Sequence, residues 1–329
     1  MKPDPDPRRR RTPGVRPNLI ALALLLPVAS ARAQVPAGMV LIPGGVVSVG
    51  TDDPAAVANE RPAREVTLEP YLIDRSPVTN RDFAAFVEAT GHVTTAERPV
   101  DWEQLKRQVP PGTPKPPPEA LRPGSLVFSP PPADAGPVDL RDLSGWWSWT
   151  TGADWRHPEG PGSDLSGRGD HPVVHVSFED AEAYAAWAGK RLPTEAEWEH
   201  AARGGARTRF FWGESFRPGG AFRANTFTGT FPVEDTGADG FAGTSPVGSF
   251  PANGYGLHDA AGNVWQWTAS PYAEGGRLDR TRRVIKGGSY LCHAAYCESY
   301  RPPARRPLPP DTSSGHVGFR CAATPPPAG

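Results

Sequence analysis

Hydrophobic positions are spaced as in strands near the start of the chain and as in helices further along. The stretches MVLIPGGVVSV (39–49) and VTLEPYLID (66–74) are apolar runs broken by Gly and Pro, which is typical of strands joined by tight turns. Helical spacing is found in NRDFAAFVEATG, where Asn80 can cap the helix and Gly91 can end it. Two further helices are predicted in SFEDAEAYAAWAGK and RLPTEAEWEHAARGG, which begin with capping boxes at Ser177 and Thr194.

The second half of the chain lacks a helical period. Beyond residue 205 it is rich in Gly, Asn and Asp, and strands are predicted at RRVIKGG and VGFRCAA. Residues 107–139 are Pro-rich and are predicted to form an extended surface segment. The aromatic cluster GWWSWTTGADW that follows must be buried or line a groove. Together these features predict one compact α+β domain over residues 36–325.

Composition narrows this picture to an irregular globular fold. Of the 329 residues, 36 are Gly and 41 are Pro, which leaves either disorder or a fold dominated by turns. The 10 Trp and 13 Phe favour the fold, because disordered chains are poor in aromatic residues. We therefore expect a globular domain with little regular secondary structure.

The N-terminus has the pattern of an export signal. The basic stretch MKPDPDPRRRR precedes the apolar run LIALALLLPVA and the small residues Ala31 and Ala33. This pattern predicts a secretory signal peptide over residues 1–33, cleaved after Ala33, and an exported protein that is periplasmic or secreted. A bilayer requires about 20 apolar residues, so we expect no stable membrane span. An uncleaved N-terminal anchor is the alternative.

Export changes the charge and the expected state of the cysteines. Residues 1–33 hold seven Lys/Arg and two Asp, so their removal takes the net charge from −1 to −6 and argues against nucleic-acid binding. An oxidising compartment favours disulfides, yet the chain has only Cys292, Cys297 and Cys321. One bridge at most can form.

Two of these cysteines lie five positions apart in GGSYLCHAAYCESYR (287–301). Four intervening residues allow a loop to bring both sulfur atoms together. A simple disulfide, a site for a soft metal such as Cu(I) or Zn(II), and a reactive thiol pair all remain open from the residues themselves. A structural zinc site needs four protein ligands, and the local supply here is two.

Several motifs in this order resemble the formylglycine-generating enzyme family, the sulfatase-modifying factors. They are MVLIPGG, TNRDFAAFVEATG, ADWRHPEGP, DHPVVHVSFEDAEAYAAWAGKRLPTEAEWE, NGYGLHDAAGNVWQW, GGSYLCHAAYCESYR and GHVGFRCA, and they span essentially the whole mature chain. The resemblance implies a variant C-type-lectin-like domain. It also implies oxidation of the cysteine in a Cys-x-Pro-x-Arg motif of a sulfatase polypeptide to Cα-formylglycine, using molecular oxygen and Cu(I). We expect a monomer.

The resemblance also implies roles for individual residues. Cys292 and Cys297 would bind Cu(I), with the substrate thiolate as a third ligand. An older view of the family makes them a redox pair that exchanges disulfides with substrate. Ser289 and Tyr296 would complete the catalytic pocket, and Trp265, Arg305 and His316 would contact the substrate. An oxidising compartment can close Cys292 and Cys297 into a disulfide, so both a resting disulfide with a reduced working state and a permanently reduced pair remain open.

Two calcium sites are implied in the same way. The first would use Asn225, Thr226, Asp239 and Phe241, and the second Asp259, Gly262, Val264 and Gln266. Animal relatives have Asn and Glu where this chain has Asp259 and Gln266. Turns rich in Asn and Asp, without metal, are the alternative. In animal relatives the cysteine at position 321 pairs with one where this chain has Ala185, so we expect Cys321 to be a free buried thiol.

Two alternatives from the same superfamily are a non-catalytic lectin-like binding module and an iron-dependent sulfoxide synthase. The spacing of His171 and His175 in HPVVH is compatible with iron ligands. Such a synthase would leave the cysteine pair unexplained and lack its additional helical domain. A binding module would not need free thiols, so thiol-dependent Cu(I) binding discriminates against it.

Overall fold

The computed structural model describes residues 35–134 and 136–326, together with Met1. Apart from Met1, the predicted signal peptide over residues 1–33 therefore lies outside the described residues. Across the described ranges, the helices are all too short or too polar to cross a membrane.

Short strands and helices are separated by long irregular segments, as the composition predicts. The helices are α1 Asn80–Thr90, α2 Trp102–Leu105, α3 Phe178–Trp187 and α4 Glu195–Arg203. The strands are β1 Met39–Ile42, β2 Gly45–Val49, β3 Arg64–Leu68, β4 Tyr71–Asp74, β5 Gly124–Phe128, β6 Trp147–Thr151, β7 Gly229–Thr230, β8 Glu234–Asp235, β9 Trp265–Glu274, β10 Arg277–Lys286, β11 Arg305–Leu308, β12 Val317–Gly318 and β13 Ala322–Ala323. The predicted α+β domain with little regular structure is confirmed.

The strands form two small sheets and three separate pairs. One sheet has the order β1-β4-β13 and joins the first strands of the domain to its last. The other has the order β11-β10-β9-β12 and carries the long β9–β10 hairpin. The pairs β2-β3, β5-β6 and β7-β8 complete the strand pairing within the described ranges.

The three predicted helices are present, and one cap differs from the prediction. Capping boxes at Ser177 and Thr194 begin α3 and α4 as expected. The cap of α1 is Thr79, whose side chain accepts a hydrogen bond from the backbone N–H of Asp82. Asn80 is instead the first helical residue, and its Nδ2 donates to the carbonyl of Arg168 at 2.9 Å. Gly91 ends α1 in a left-handed conformation, as predicted.

The largest hydrophobic core connects the helices to the second sheet. Phe83 of α1, Tyr184 of α3 and Trp267 of β9 are buried in it. Cys292 and Cys297 belong to the same cluster, so the loop that carries them (residues 287–301, the cysteine loop) packs directly on the core. This packing fixes the position of the loop relative to the sheet.

The Pro-rich segment is more structured than predicted. Residues 124–128 within it form β5, which pairs with β6 (147–151) from the aromatic cluster, and Gly124 and Ser125 are buried. Trp146 and Trp155 of the cluster are buried as expected, at 2% and 3% exposure. The β5–β6 hairpin therefore forms one wall over the site described next.

Candidate functional site

The cysteine loop follows directly after strand β10, which positions it. The strand ends at Lys286, whose buried ammonium group pairs with the buried Glu199 carboxylate of α4 at 2.9 Å. Gly288 follows with φ of 69°, and a Cβ atom there would lie 2.9 Å from backbone atoms of Ser299 and Tyr300. Only glycine allows the chain to turn this tightly. The outgoing and returning arms of the loop thus run in contact.

Within the loop, the two cysteine side chains meet. The Sγ atoms of Cys292 and Cys297 are 2.9 Å apart, and both residues are free thiols that are buried from solvent. The backbone N–H of Cys297 donates to the carbonyl of His293 at 2.7 Å, which closes the turn between the cysteines. The backbone N–H of Ser289 points at the Cys292 sulfur at 3.4 Å. The sequence spacing correctly predicted two adjacent sulfur atoms.

The pKa values of the two thiols are shifted in opposite directions from that of an ordinary cysteine. A hydrogen bond from the Cys292 thiol lowers the pKa of Cys297 to about 6, and Ser299 and the nearby Arg306 act in the same direction. Burial raises the pKa of Cys292 well above its ordinary value, and the hydrogen bond to Cys297 adds to this. The pair therefore holds one negative charge at neutral pH, as a Cys297 thiolate that accepts from the Cys292 thiol.

This asymmetry predicts how the reduced, metal-free protein titrates. We expect one thiolate to form with a midpoint near pH 6, because the folded pKa of Cys297 is depressed, and the Cys292 proton to remain well above pH 9. Ultraviolet thiolate absorbance measured against pH would show this step. The step should vanish in Cys297→Ser and persist in Cys321→Ala. A wild-type protein without thiolate absorbance below about pH 8 would contradict the assignment.

The sulfur pair borders an open cavity of about 630 Å³. Its walls are mainly apolar and aromatic, and include Leu126, Trp146, Trp147, Ile285, Leu291 and Leu308. Four of the residues that the resemblance assigned to the site also line it, namely Ser289, Tyr296, Trp265 and His316, and so does Arg306. The cavity therefore joins Cys292 and Cys297 to four of the five other residues that the resemblance assigned to catalysis or substrate contact.

The fifth residue, Arg305, does not line this cavity. Its guanidinium forms an ion pair with the Glu195 carboxylate at 2.6 Å and donates to the carbonyl of Ala273 at 2.7 Å. Its neighbour Arg306 lines the cavity and is its single formally charged wall residue apart from the cysteines, within the described ranges. The sequence analysis missed Arg306. Alternation along β11 could not have found it, because Arg306, Pro307 and Leu308 line the cavity in succession.

Tyr296 and His316 line the cavity, each packed against one of two neighbouring tryptophans. The Tyr296 ring packs edge-on against Trp146 at 5.1 Å and stacks on Phe231 at 4.8 Å, with 38% of the residue exposed. The His316 ring lies 4.7 Å from that of Trp147, and its Nδ1 is 3.0 Å from the Ser314 hydroxyl. Burial lowers the pKa of His316 to about 3, so the ring is neutral. It offers a hydrogen bond without a charge.

The residues of the first predicted calcium site lie together and fit a hard cation. Asn225 is buried, and its Oδ1 has no hydrogen-bond partner within the described residues. The Asp239 carboxylate accepts from the backbone N–H groups of Thr226 (2.8 Å) and Phe241 (3.1 Å), and burial raises its pKa. A calcium ion would satisfy the unpaired amide oxygen and the desolvated carboxylate.

The residues of the second predicted calcium site also come together, but they do not fit the ion. The Gln266 Oε1 accepts hydrogen bonds from Trp198 Nε1 at 2.8 Å and from Arg320 Nε at 2.6 Å. Both lone pairs of this oxygen are thus occupied. Asp259 lies beside it, and Gly262 and Val264 are buried in the same turn.

The remaining candidates have structural roles. Cys321 is a free, fully buried thiol, as expected. His175 is buried between the Ser125 hydroxyl (2.7 Å) and the Pro158 carbonyl (2.8 Å), and His171 Nδ1 lies 2.9 Å from the Thr244 hydroxyl. Within the described ranges, no cluster of three or more His, Cys, Asp or Glu residues could hold a metal. The two histidines therefore show no iron site.

Known proteins resemble this chain over most of its length. The family model described as "Sulfatase-modifying factor enzyme 1-like domain" matches residues 26–325. The formylglycine-generating enzyme of Mycobacterium tuberculosis is 47% identical over 306 residues, which cover 87% of this chain and 98% of that protein. The enzyme of the same name from Thermomonospora curvata is 48% identical over 310 residues, covering 89% and 95%.

Similarity extends to a relative that is named as inactive and to a solved structure with another name. A Bos taurus protein named inactive C-alpha-formylglycine-generating enzyme 2 is 41% identical, and the match covers 87% of each chain. The solved structure of PvdO from Pseudomonas aeruginosa superposes with a TM-score of 0.56 at 26% identity, covering 86% of this chain and 93% of that one. Sequence similarity over most of the chain therefore shows the family, and the residues at the candidate site are needed to distinguish active from inactive members. With its matching domain and its paired thiols at a cavity, the chain belongs to the sulfatase-modifying factor enzyme 1-like family.

Proposed function

We propose that this protein is a formylglycine-generating oxidase. It would convert the cysteine of a Cys-x-Pro-x-Arg motif in a sulfatase polypeptide to Cα-formylglycine, using molecular oxygen and Cu(I). The observation that carries this proposal is the pair of free thiols, 2.9 Å apart, at the wall of an open cavity. The relatives named as formylglycine-generating enzymes support it, since they match nearly the whole chain.

The donor set favours copper over other metals. Two sulfur ligands are too few for a structural zinc site, whereas soft thiolates suit Cu(I). Cys297 would anchor the ion, because its depressed pKa makes it a thiolate at neutral pH. Cys292 would lose its proton on metal binding and is the residue we associate with turnover. When bound, Cu(I) supplies the electron-transfer chemistry that activates oxygen.

The cavity walls would orient the substrate and exclude water. Trp146, Trp147 and Leu291 surround the sulfur pair with apolar surface, which strengthens electrostatic interactions at the reacting atoms. The Arg306 guanidinium stabilises negative charge on sulfur, so it favours the thiolate form of an incoming cysteine. Hydroxyl groups of Ser289 and Tyr296 can donate hydrogen bonds into the same space.

The reaction balances with oxygen as the electron acceptor. Loss of one Cβ hydrogen and of the thiol proton oxidises the substrate cysteine by two electrons to a thioaldehyde, and oxygen takes up these two electrons and two protons to give hydrogen peroxide. Water then hydrolyses the thioaldehyde to the aldehyde and releases hydrogen sulfide. The chain's part is to hold the substrate sulfur beside Cys292 and Cys297 during the first step.

Calcium, compartment and partners complete the proposal. The unpaired Asn225 oxygen and the buried Asp239 carboxylate support one calcium ion at the first site. The N-terminal pattern of residues 1–33 supports export, so the substrate would be a co-exported, still unfolded sulfatase chain. The net charge of −6 after cleavage supports a protein partner over nucleic acid. We propose that the enzyme acts as a monomer.

The proposed function is tested by incubating the mature, reduced protein with Cu(I), oxygen and a Cys-x-Pro-x-Arg peptide. We expect an aldehyde on the peptide, detected by mass and by hydrazide capture, together with hydrogen sulfide. A peptide with Ala in place of Cys is the control and should stay unmodified. If copper-loaded protein yields no aldehyde, the oxidase assignment is wrong, and a binding module of the same family becomes the better explanation.

A further inference from the structure

The second predicted metal site is built around a buried arginine. Arg320 is 0% exposed, and each guanidinium nitrogen donates to a named oxygen. Its partners are Gln266 Oε1 (2.6 Å) on Nε, the Asp74 and Arg75 carbonyls (3.1 and 3.2 Å) on Nη1, and the His258 and Asp259 carbonyls (2.7 and 2.9 Å) on Nη2. This guanidinium joins the end of β4, the turn at 258–259 and strand β9.

The arginine also supplies the positive charge of the site. An arginine guanidinium stays protonated in proteins, and that of Arg320 is surrounded by five acceptor oxygens that suit a cation. A metal ion beside it would place two cations in a desolvated region. Like charges in such surroundings repel strongly, and nothing in the turn offers a second carboxylate to offset this.

The amide of Gln266 cannot be turned to serve a metal. Its Nε2 donates to the Asp259 carbonyl at 2.7 Å, while its Oε1 accepts from Trp198 and Arg320. Flipping the amide would point its NH₂ group at two N–H donors and its oxygen at a carbonyl oxygen. The hydrogen-bond network therefore fixes the orientation in which both lone pairs of Oε1 are used.

The Asp259 carboxylate is held by the protein in the same way as the Asp239 carboxylate of the first site, with one donor on each oxygen. Its Oδ2 accepts from the backbone N–H of Gly248 at 2.8 Å, and its Oδ1 accepts from Asn263 Nδ2 at 3.1 Å. The residue adopts a left-handed conformation with φ of 50°, which these bonds hold in place. The two sites differ in their amide oxygens, because the Gln266 Oε1 has two donors whereas the Asn225 Oδ1 has none within the described residues.

We propose that the guanidinium of Arg320 takes the structural role of the second calcium ion in this chain, so that the 259–266 segment closes without metal. The chain would then bind calcium at the first site only. Chelation of calcium would loosen the 225–241 region and leave the 259–266 turn closed. This inference stands independently of the proposed oxidase activity.

Calcium stoichiometry tests the proposal directly. Equilibrium dialysis of the mature chain, with metal content measured by atomic emission, should give no more than one calcium ion per chain. Asp239→Asn should remove this ion, whereas the matched change Asp259→Asn should leave the stoichiometry unchanged. A second bound calcium ion that disappears in Asp259→Asn would overturn the proposal. Absence of bound calcium would remove the first-site proposal and agree with a metal-free second site.

Melting temperatures with and without calcium provide the second test. A residue that coordinates calcium stabilises the fold only while the ion is bound. Its replacement should therefore lower the melting temperature only in calcium-containing buffer. We expect Gln266→Met to lower the melting temperature equally in saturating calcium and in chelator. Asp239→Asn is the control and should lower it in calcium alone. A loss in Gln266→Met confined to calcium buffer would refute the guanidinium role, and if this variant fails to fold, the Asp259→Asn dialysis still decides.

Discussion

Replacing Cys297 with serine is expected to abolish aldehyde formation on a Cys-x-Pro-x-Arg peptide while the fold remains intact. Serine has nearly the same shape, but its hydroxyl is neither a soft ligand nor a thiolate at neutral pH. Loss of an outer partner of a metal site costs roughly 10–100-fold, so loss of a direct ligand should exceed about 100-fold. Hydrazide capture with mass spectrometry measures the rate, and circular dichroism checks the fold. Cys292→Ser should behave in the same way.

The third cysteine provides the matched control for this experiment. Cys321 is as buried as the pair but does not line the cavity. Cys321→Ala should therefore retain activity within a few-fold of wild type. A Cys297→Ser protein that forms aldehyde at a comparable rate would show that the sulfur pair is not the reactive centre.

The second large effect concerns the ion pair beneath the cysteine loop. Lys286→Met is expected to lower the free energy of unfolding by about 3 kcal/mol, because breaking a buried pair leaves a charge without its partner. Glu199 would then keep only Arg203, at 2.7 Å, and the backbone N–H of Gly50, at 2.8 Å. Denaturant unfolding followed by tryptophan fluorescence measures the difference.

This effect should depend on pH in a defined direction. Burial opposes ionisation of Glu199, but Lys286 and Arg203 outweigh it and lower its pKa below 4.5. The stabilising contribution is therefore complete well above pH 4.5 and is lost as the pH falls through the lower, folded value. The gap between wild type and Lys286→Met should shrink on acidification. Lys106→Met, which breaks an exposed pair with Glu103, is the control and should change stability by less than about 1 kcal/mol.

Local patterns predicted the helices well, and longer-range contacts explain the errors. The segments beginning at Ser177 and Thr194 fold as their capping boxes indicate. The cap of α1 lies at Thr79 because Asn80 bonds the carbonyl of Arg168, a contact without a local signal. The first half of β10 was missed because residues 277–283 are mostly charged and solvent-facing and lack the alternation of a half-buried strand. Strand β9 was missed because its first four residues are all buried and do not alternate either.

The sequence predicted the cysteine pair at the centre of the candidate site, but it did not predict all of the contacts of the residues around that pair. Four residues between two cysteines allow a turn that brings the sulfur atoms together, and the resemblance identified that turn as the candidate site. Arg305 is held by the Glu195 carboxylate and the Ala273 carbonyl, whereas Arg306 lines the cavity, and these partners lie too far along the chain for a local pattern to reveal. The engagement of Gln266 depended on Arg320, 54 positions further along the chain, which no local pattern could reveal.

Two sides of the cavity belong to different elements. Strands β5 and β6 contribute Leu126 and Trp147, while the sulfur pair comes from the loop after β10. We therefore expect substitutions at Leu126 and Trp147 to change which peptides enter the cavity while the sulfur pair keeps its position.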